Sequence, residues 1–144
     1  MLRPSPHLAW DELACRDGTP YPPAWEDRAR ALAAMFETFR TTMGGAPIVI
    51  GSAYRTRRWN RLCGGGVRSQ HVEGRALDCY PPAKMFLAEF RDRARAFATH
   101  DPRVGGFGLY HWGVHLDIRP RRNGHLVVWN RLGAGTRLHD TRSV

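Results

Sequence analysis

An α+β domain, with a small, mostly antiparallel sheet and flanking helices, is the fold class this sequence predicts on three observations. Two stretches carry apolar residues at helical spacing, several short apolar runs of strand length lie between and after them, and an Asn-Gly pair late in the chain signals a hairpin. The chain has 144 residues, one domain's worth and enough for a real core. Residues 1–144 are expected to form one domain, with an extended arm over 1–23 and a loose polar tail over 133–144.

The arm ends in turn residues at Asp17-Gly18, Pro20, Pro22 and Pro23. Trp25, Ala29, Leu32, Phe36, Phe39 and Met43 then recur at alternating steps of four and three, which lines up one face of a helix. Glu26 and Asp27 fall in its first turn, where the helix dipole favours negative charge, and Gly44-Gly45 ends it. Pro47 to Ile50 reads as a strand, 56–63 as a short helix, 64–66 as a loop and 75–80 as a second strand. Pro81-Pro82 is expected to open a second amphipathic helix with Phe86, Phe90, Ala94 and Phe97 on one face, broken at Asp101-Pro102. Val104 to Tyr110 is glycine-rich but extended, and Val114 to Ile118 is a strand. Asn123-Gly124 turns the chain, and Leu126 to Trp129 is expected to be the returning strand.

Composition narrows the function classes. No apolar run approaches the ~20 residues needed to span a bilayer. The formal net charge of +9 favours polyanionic partners, among them anionic cell-wall polymers and nucleic acid. The arginines are scattered, however, with only short pairs at Arg57-Arg58 and Arg121-Arg122, so no basic nucleic-acid arm is present. Cys15, Cys63 and Cys79 are odd in number and contain no Cys-x-x-Cys, which points to free thiols and away from a disulfide framework or a zinc finger, with one pair able to bridge after export.

Two segments carry chemistry. In Ser69-Gln70-His71-Val72-Glu73-Gly74-Arg75-Ala76-Leu77-Asp78, an imidazole and a carboxylate stand seven residues apart, with a glycine available for the turn between loop and strand. Both groups bind zinc at about 2.0–2.2 Å. In Gly113-Val114-His115-Leu116-Asp117, alternation puts His115 and Asp117 on one strand face and Val114, Leu116 and Ile118 on the other. Two imidazoles and one carboxylate leave one position of a tetrahedral zinc open, which is the catalytic rather than the structural arrangement.

The first segment resembles the S-x-H-x-x-G-x-A-x-D signature of zinc D-Ala-D-Ala peptidases, the second resembles the later H-x-D of a subgroup, and Ser52-Ala53-Tyr54-Arg55 resembles their S-x-Y-R strand end. The resemblance spans roughly residues 47–130. That family includes D,D-carboxypeptidases, vancomycin-resistance dipeptidases and phage endolysins, and shares its fold with the hedgehog signalling domain. The resemblance implies zinc held by His71, Asp78 and His115, peptidoglycan stem peptides as substrate, Arg55 holding a substrate carboxylate or carbonyl, and Ser69 holding substrate or orienting the site. Ser69 also reads as a turn residue, and Arg55 as a structural ion-pair partner.

Many relatives carry an acid or histidine two or three residues before the last zinc histidine as general base. Here Trp112 and Gly113 stand there. Asp117 and His111 share the strand parity of His115 and are the candidate bases, with Glu73 a third; Asp117 equally suits a carboxylate that orients a ligand. Tyr54, Tyr110, Trp112 and Trp129 either wall the groove or pack in the core. A monomer is expected. The first eighteen residues carry no apolar run of signal-peptide type, so cytoplasmic synthesis is expected, with delivery to the wall by release or on a phage-like particle.

Overall fold

A computed structural model describes residues 2–133 of the chain; the expected loose tail lies outside the described residues from position 134 on. Four helices and five strands follow one another as α1 Trp10–Leu13, α2 Glu26–Thr42, β1 Ile50–Ser52, α3 Arg57–Leu62, β2 Ala76–Cys79, α4 Leu87–His100, β3 Gly106–Leu109, β4 Val114–Asp117 and β5 Val127–Asn130. The strands form one sheet in the order β1-β2-β4-β3-β5. Every pairing is antiparallel except β3 with β5. The α+β class with a mostly antiparallel sheet therefore holds.

The two-residue period of the strands divides the sheet into an apolar and a polar face. Leu77 and Cys79 of β2, Phe107 and Leu109 of β3, and Val114 and Leu116 of β4 join one hydrophobic core with Phe36 and Phe39 of α2 and Phe90, Ala94 and Phe97 of α4. Phe39 sits between the two helices, its ring 5.9 Å from Phe90 and 5.2 Å from Phe97. On the other face stand Asp78, Gly106, Gly108, His115 and Asp117. Asp78 lies directly across from His115, and the two glycines lie across from Asp117 and His115.

Four expectations are corrected. The arm is not simply extended: it holds the single turn α1, and Leu8, Leu13 and Tyr21 are buried in the core. Its apolar residues are what drive it down. Glu37 of α2 pins it by accepting from the Ser5 hydroxyl at 2.6 Å and the His7 backbone at 2.8 Å. The strand expected over 47–50 lies later, at Ile50–Ser52. The second long helix begins at Leu87, because Pro81 and Pro82 cannot donate and the Met85 N–H is spent on the Pro82 carbonyl in a turn. Phe86 is thereby left outside the apolar face, 86% exposed.

The fourth correction concerns β5. Asn123 and Gly124 do turn the chain, with φ of 55° and 75°, and Arg122 bridges His125. The strand that follows does not return along β4. Both edges of β4 are already taken by β2 and β3, so β5 crosses to the open edge of β3 and pairs parallel, Gly108 opposite Trp129.

Candidate metal centre

His71, Asp78 and His115 each offer one ligand atom, and the three atoms lie within 4.8 Å of one another. They come from three places. His71 lies in the loop between α3 and β2, Asp78 is the third residue of β2, and His115 is its cross-strand neighbour on β4. Gly74, at φ 68°, makes the left-handed turn that lets the chain leave the loop and enter β2. The Tyr21 hydroxyl donates to the Gly74 carbonyl at 2.8 Å, so the arm holds that turn from outside.

The outer nitrogens of the imidazoles fix which nitrogens face inward. His71 Nδ1 lies 2.6 Å from the Ala53 carbonyl, which can only accept. Nδ1 therefore carries the hydrogen and Nε2 is left as the inward lone pair. His115 Nε2 lies 2.8 Å from Asp117 Oδ2. The Asp117 carboxyl is fully ionised: burial opposes its charge, but bonds from His115 and Arg119 outweigh that and hold its pKa at about 2. An ionised carboxylate only accepts, so Nε2 carries the hydrogen and Nδ1 of His115 faces inward. Both inward nitrogens stand 3.1 Å from the same oxygen, Asp78 Oδ1.

Three electron-rich atoms thus meet at one buried point. Burial pushes the pKa of His71 down and favours its neutral form. His115, equally buried, is pushed up, because the carboxylates of Asp117 and Asp78 on either side of its ring together outweigh the burial. Asp78 lies below the usual carboxylate range against its burial, because the two imidazoles beside it favour its charged form. The centre therefore demands positive charge. A divalent cation among two nitrogens and one oxygen meets that demand, and N and O donors in this number suit zinc.

Around the cluster, each neighbour has a visible task. Arg55 is 1% exposed. Its Nη2 donates to Asp78 Oδ2 at 3.3 Å, its Nε to Ser52 at 3.0 Å and its Nη1 to Asn60 at 3.3 Å. Ser69 is buried and accepts from the His71 backbone N–H at 3.3 Å, inside the loop turn. Arg119 donates to Asp117 through Nε at 2.9 Å and Nη2 at 2.6 Å. The Trp129 ring lies 4.9 Å from His115, and its Nε1 donates to the Tyr110 hydroxyl at 2.8 Å. Tyr110 in turn stacks on Trp112 at 4.7 Å, whereas Tyr54 packs edge-on against Tyr21 and Trp25 on the arm side.

Of the candidate bases, only Asp117 is brought to the cluster. His111 is exposed on the turn between β3 and β4, which Tyr110 and Gly113 close by exchanging backbone hydrogen bonds. Glu73 points to Arg28 across 3.9 Å and is 43% exposed. Sequence reasoning missed Asn60, Arg119 and the Ala53 carbonyl. Arg119 was readable by parity, two residues beyond Asp117. Nothing in the sequence singled out Asn60.

Residues 6–117 match the family model described as Peptidase M15, so the match reaches back through the arm. No curated protein matches the chain.

Proposed function

The chain belongs to the Peptidase M15 family of zinc metallopeptidases, and from that premise we propose that it hydrolyses peptide bonds in the stem peptides or crosslinks of bacterial peptidoglycan, with zinc held by His71, Asp78 and His115. The observation that carries the reading is the convergence of two tautomer-fixed imidazole lone pairs on one carboxylate oxygen. When bound, zinc supplies Lewis acidity that polarises a scissile carbonyl and lowers the pKa of a water.

The chain's own residues do the rest. Asp117 orients His115 and sets its tautomer, and Arg119 holds Asp117 in place. Arg55 occupies Asp78 Oδ2 and so leaves Oδ1 as the inward oxygen; its role in this reading is on the ligand, not in an open groove. Ser69 shapes the loop that delivers His71. Trp129 covers His115 and keeps bulk water from the Asp117 pair.

Purified protein should contain about one zinc per chain, and His71→Ala, Asp78→Ala and His115→Ala should each lose it. The zinc-loaded protein should release new peptide termini from peptidoglycan, read by mass spectrometry of the digest. Metal retention in all three variants sinks the site, and an intact digest sinks the activity.

One observation favours a second reading, a zinc-containing wall-binding module with little turnover. Among the described residues no candidate base stands unengaged at the cluster: Asp117 is held by His115 and Arg119, Glu73 pairs with Arg28, and His111 is on a distant turn. Turnover of a D-Ala-D-Ala peptide decides between the two.

A further inference from the structure

Between Arg55 and His71 the chain builds a second feature. A cavity of about 140 Å³ opens beside α3, lined by Arg57, Asn60, Arg61, Gly65, Val67 and Val72. It adjoins the metal centre through its walls. Val72 follows His71 directly, and the Asn60 side chain accepts from Arg55, which itself donates to Asp78. The wall is fixed: Asn60 donates from Nδ2 to the Gly66 carbonyl at 2.9 Å, and its own carbonyl accepts from Gly65 at 2.8 Å.

Two cations face this cavity without an opposing charge. Arg57 and Arg61 are four residues apart on α3, hence on one side of the helix. Both are exposed, and neither pairs with a carboxylate among the described residues, whereas Arg28, Arg30, Arg55, Arg103 and Arg119 all do. No acidic residue among the described residues lines the cavity. Val72, buried, and Val67, at the exposed rim, supply the apolar part of the lining. Such a site matches an anion carried on a short aliphatic stem, and the planar forks of arginine suit a carboxylate above a point anion. The reading of Arg55 sharpens this, since its fork is engaged inside the metal centre and a substrate carboxylate has to meet other cations.

We propose that the cavity beside α3 is a substrate subsite for a peptide carboxylate on a short aliphatic stem, gripped by Arg57 and Arg61 and bedded on Val72. The proposal rests on the peptidase reading and deepens it. The preferred substrate carries a free carboxylate near the scissile bond, either the chain terminus or an acidic side chain.

Three otherwise identical peptides test it: the free acid, the C-terminal amide and the side-chain amide. With the zinc-loaded protein, amidating one of the two carboxylates should raise KM about tenfold or more with kcat little changed. Which amide does so assigns the carboxylate to the terminus or to the side chain. The Arg57→Gln/Arg61→Gln double variant should bind zinc normally yet turn over acid and amide alike, and Arg61→Glu should shift preference toward a peptide with an amine at that position. Equal KM for all three peptides with the unaltered protein overturns the subsite, as does full discrimination retained by the double variant. If no peptide is cleaved, the peptidase reading falls, and equilibrium binding of the same peptides reads the subsite alone. Tighter binding of the acid, lost in the double variant, then supports it; equal binding of acid and amides overturns it.

Discussion

Asp117 shows how one carboxylate is committed by its neighbours. It has no exposed surface, and each of its oxygens is engaged, Oδ2 by His115 and Arg119 and Oδ1 by the Arg119 backbone and side chain. Its pKa is depressed to about 2, which makes it a poor proton acceptor at neutral pH and a good orienting acceptor. Asp117→Asn is therefore expected to weaken zinc affinity by about 10–100-fold, with activity recovered by added zinc. A variant that keeps its zinc and loses ~10²–10⁴ in rate would instead make Asp117 the base. Arg55→Lys should likewise loosen zinc, because an ammonium cannot serve Ser52, Asn60 and Asp78 at once as the fork does; metal titration of the variant reads this directly. The three residues of the cluster were legible in sequence because their types and spacing resemble a family signature, and the strand parity of His115 is a local property. The inward turn of Arg55 was not, since it depends on Asn60 and Ser52, which sequence places five and three residues away with no sign of their direction.

At the level of elements, the sheet's polar face explains why β3 is written Gly-Phe-Gly-Leu. A Cβ on Gly106 would stand 2.3 Å from Asp117 Oδ2, and one on Gly108 would stand 2.4 Å from Trp129 Nε1. These glycines are the room in which the Asp117–Arg119 pair and the Trp129 ring lie. Gly106→Ala should cost about 1–3 kcal/mol of stability by overpacking and also weaken zinc binding, as metal titration alongside denaturant unfolding will show. Stability loss with unchanged zinc affinity would mean that the carboxylate simply moves aside. The arm is the second element with a task, and Tyr21 carries it. Burial raises the Tyr21 pKa to about 12, above the unfolded value of about 10. Its hydroxyl bond to Gly74 therefore contributes fully below pH 10 and is lost as pH rises toward 12. Tyr21→Phe should cost on the order of 1 kcal/mol at pH 8, and its deficit against the unaltered protein should shrink between pH 10 and 11.5. A constant gap across that range would remove the hydroxyl from the stability of the turn. The long helix α2 was readable from period alone. The burial of the arm was not, because Leu8, Leu13 and Tyr21 follow no period and find their places only against α2 and β1. The parallel pairing of β5 was equally hidden: the Asn-Gly turn reports a reversal of direction but not which edge remains open.

Over the whole molecule, the formal charge of +9 is the feature the metal centre does not use. Few of the arginines are neutralised, and those on α3 and the loop after it, Arg57, Arg58, Arg61 and Arg68, have no carboxylate partner among the described residues. No helix among the described residues is long and apolar enough to cross a membrane. An anionic polymer carrying the substrate would be drawn to such a surface, and the attraction would add to the local concentration of scissile bonds without touching the chemistry. Exposed charges are screened beyond about 10 Å at 0.1 M salt, whereas the buried ligand cluster is not. Two substrates separate these effects. On intact sacculi, activity should fall several-fold between 50 and 300 mM salt, and the fall should sit in the apparent KM. On a small peptide with its carboxylates amidated, which offers no charge to the surface, activity should hardly change over the same range. Equal salt sensitivity on the two substrates would take wall attraction out of the function. Tight, steeply salt-dependent binding to duplex DNA that survives removal of zinc would assign the charge to nucleic acid instead.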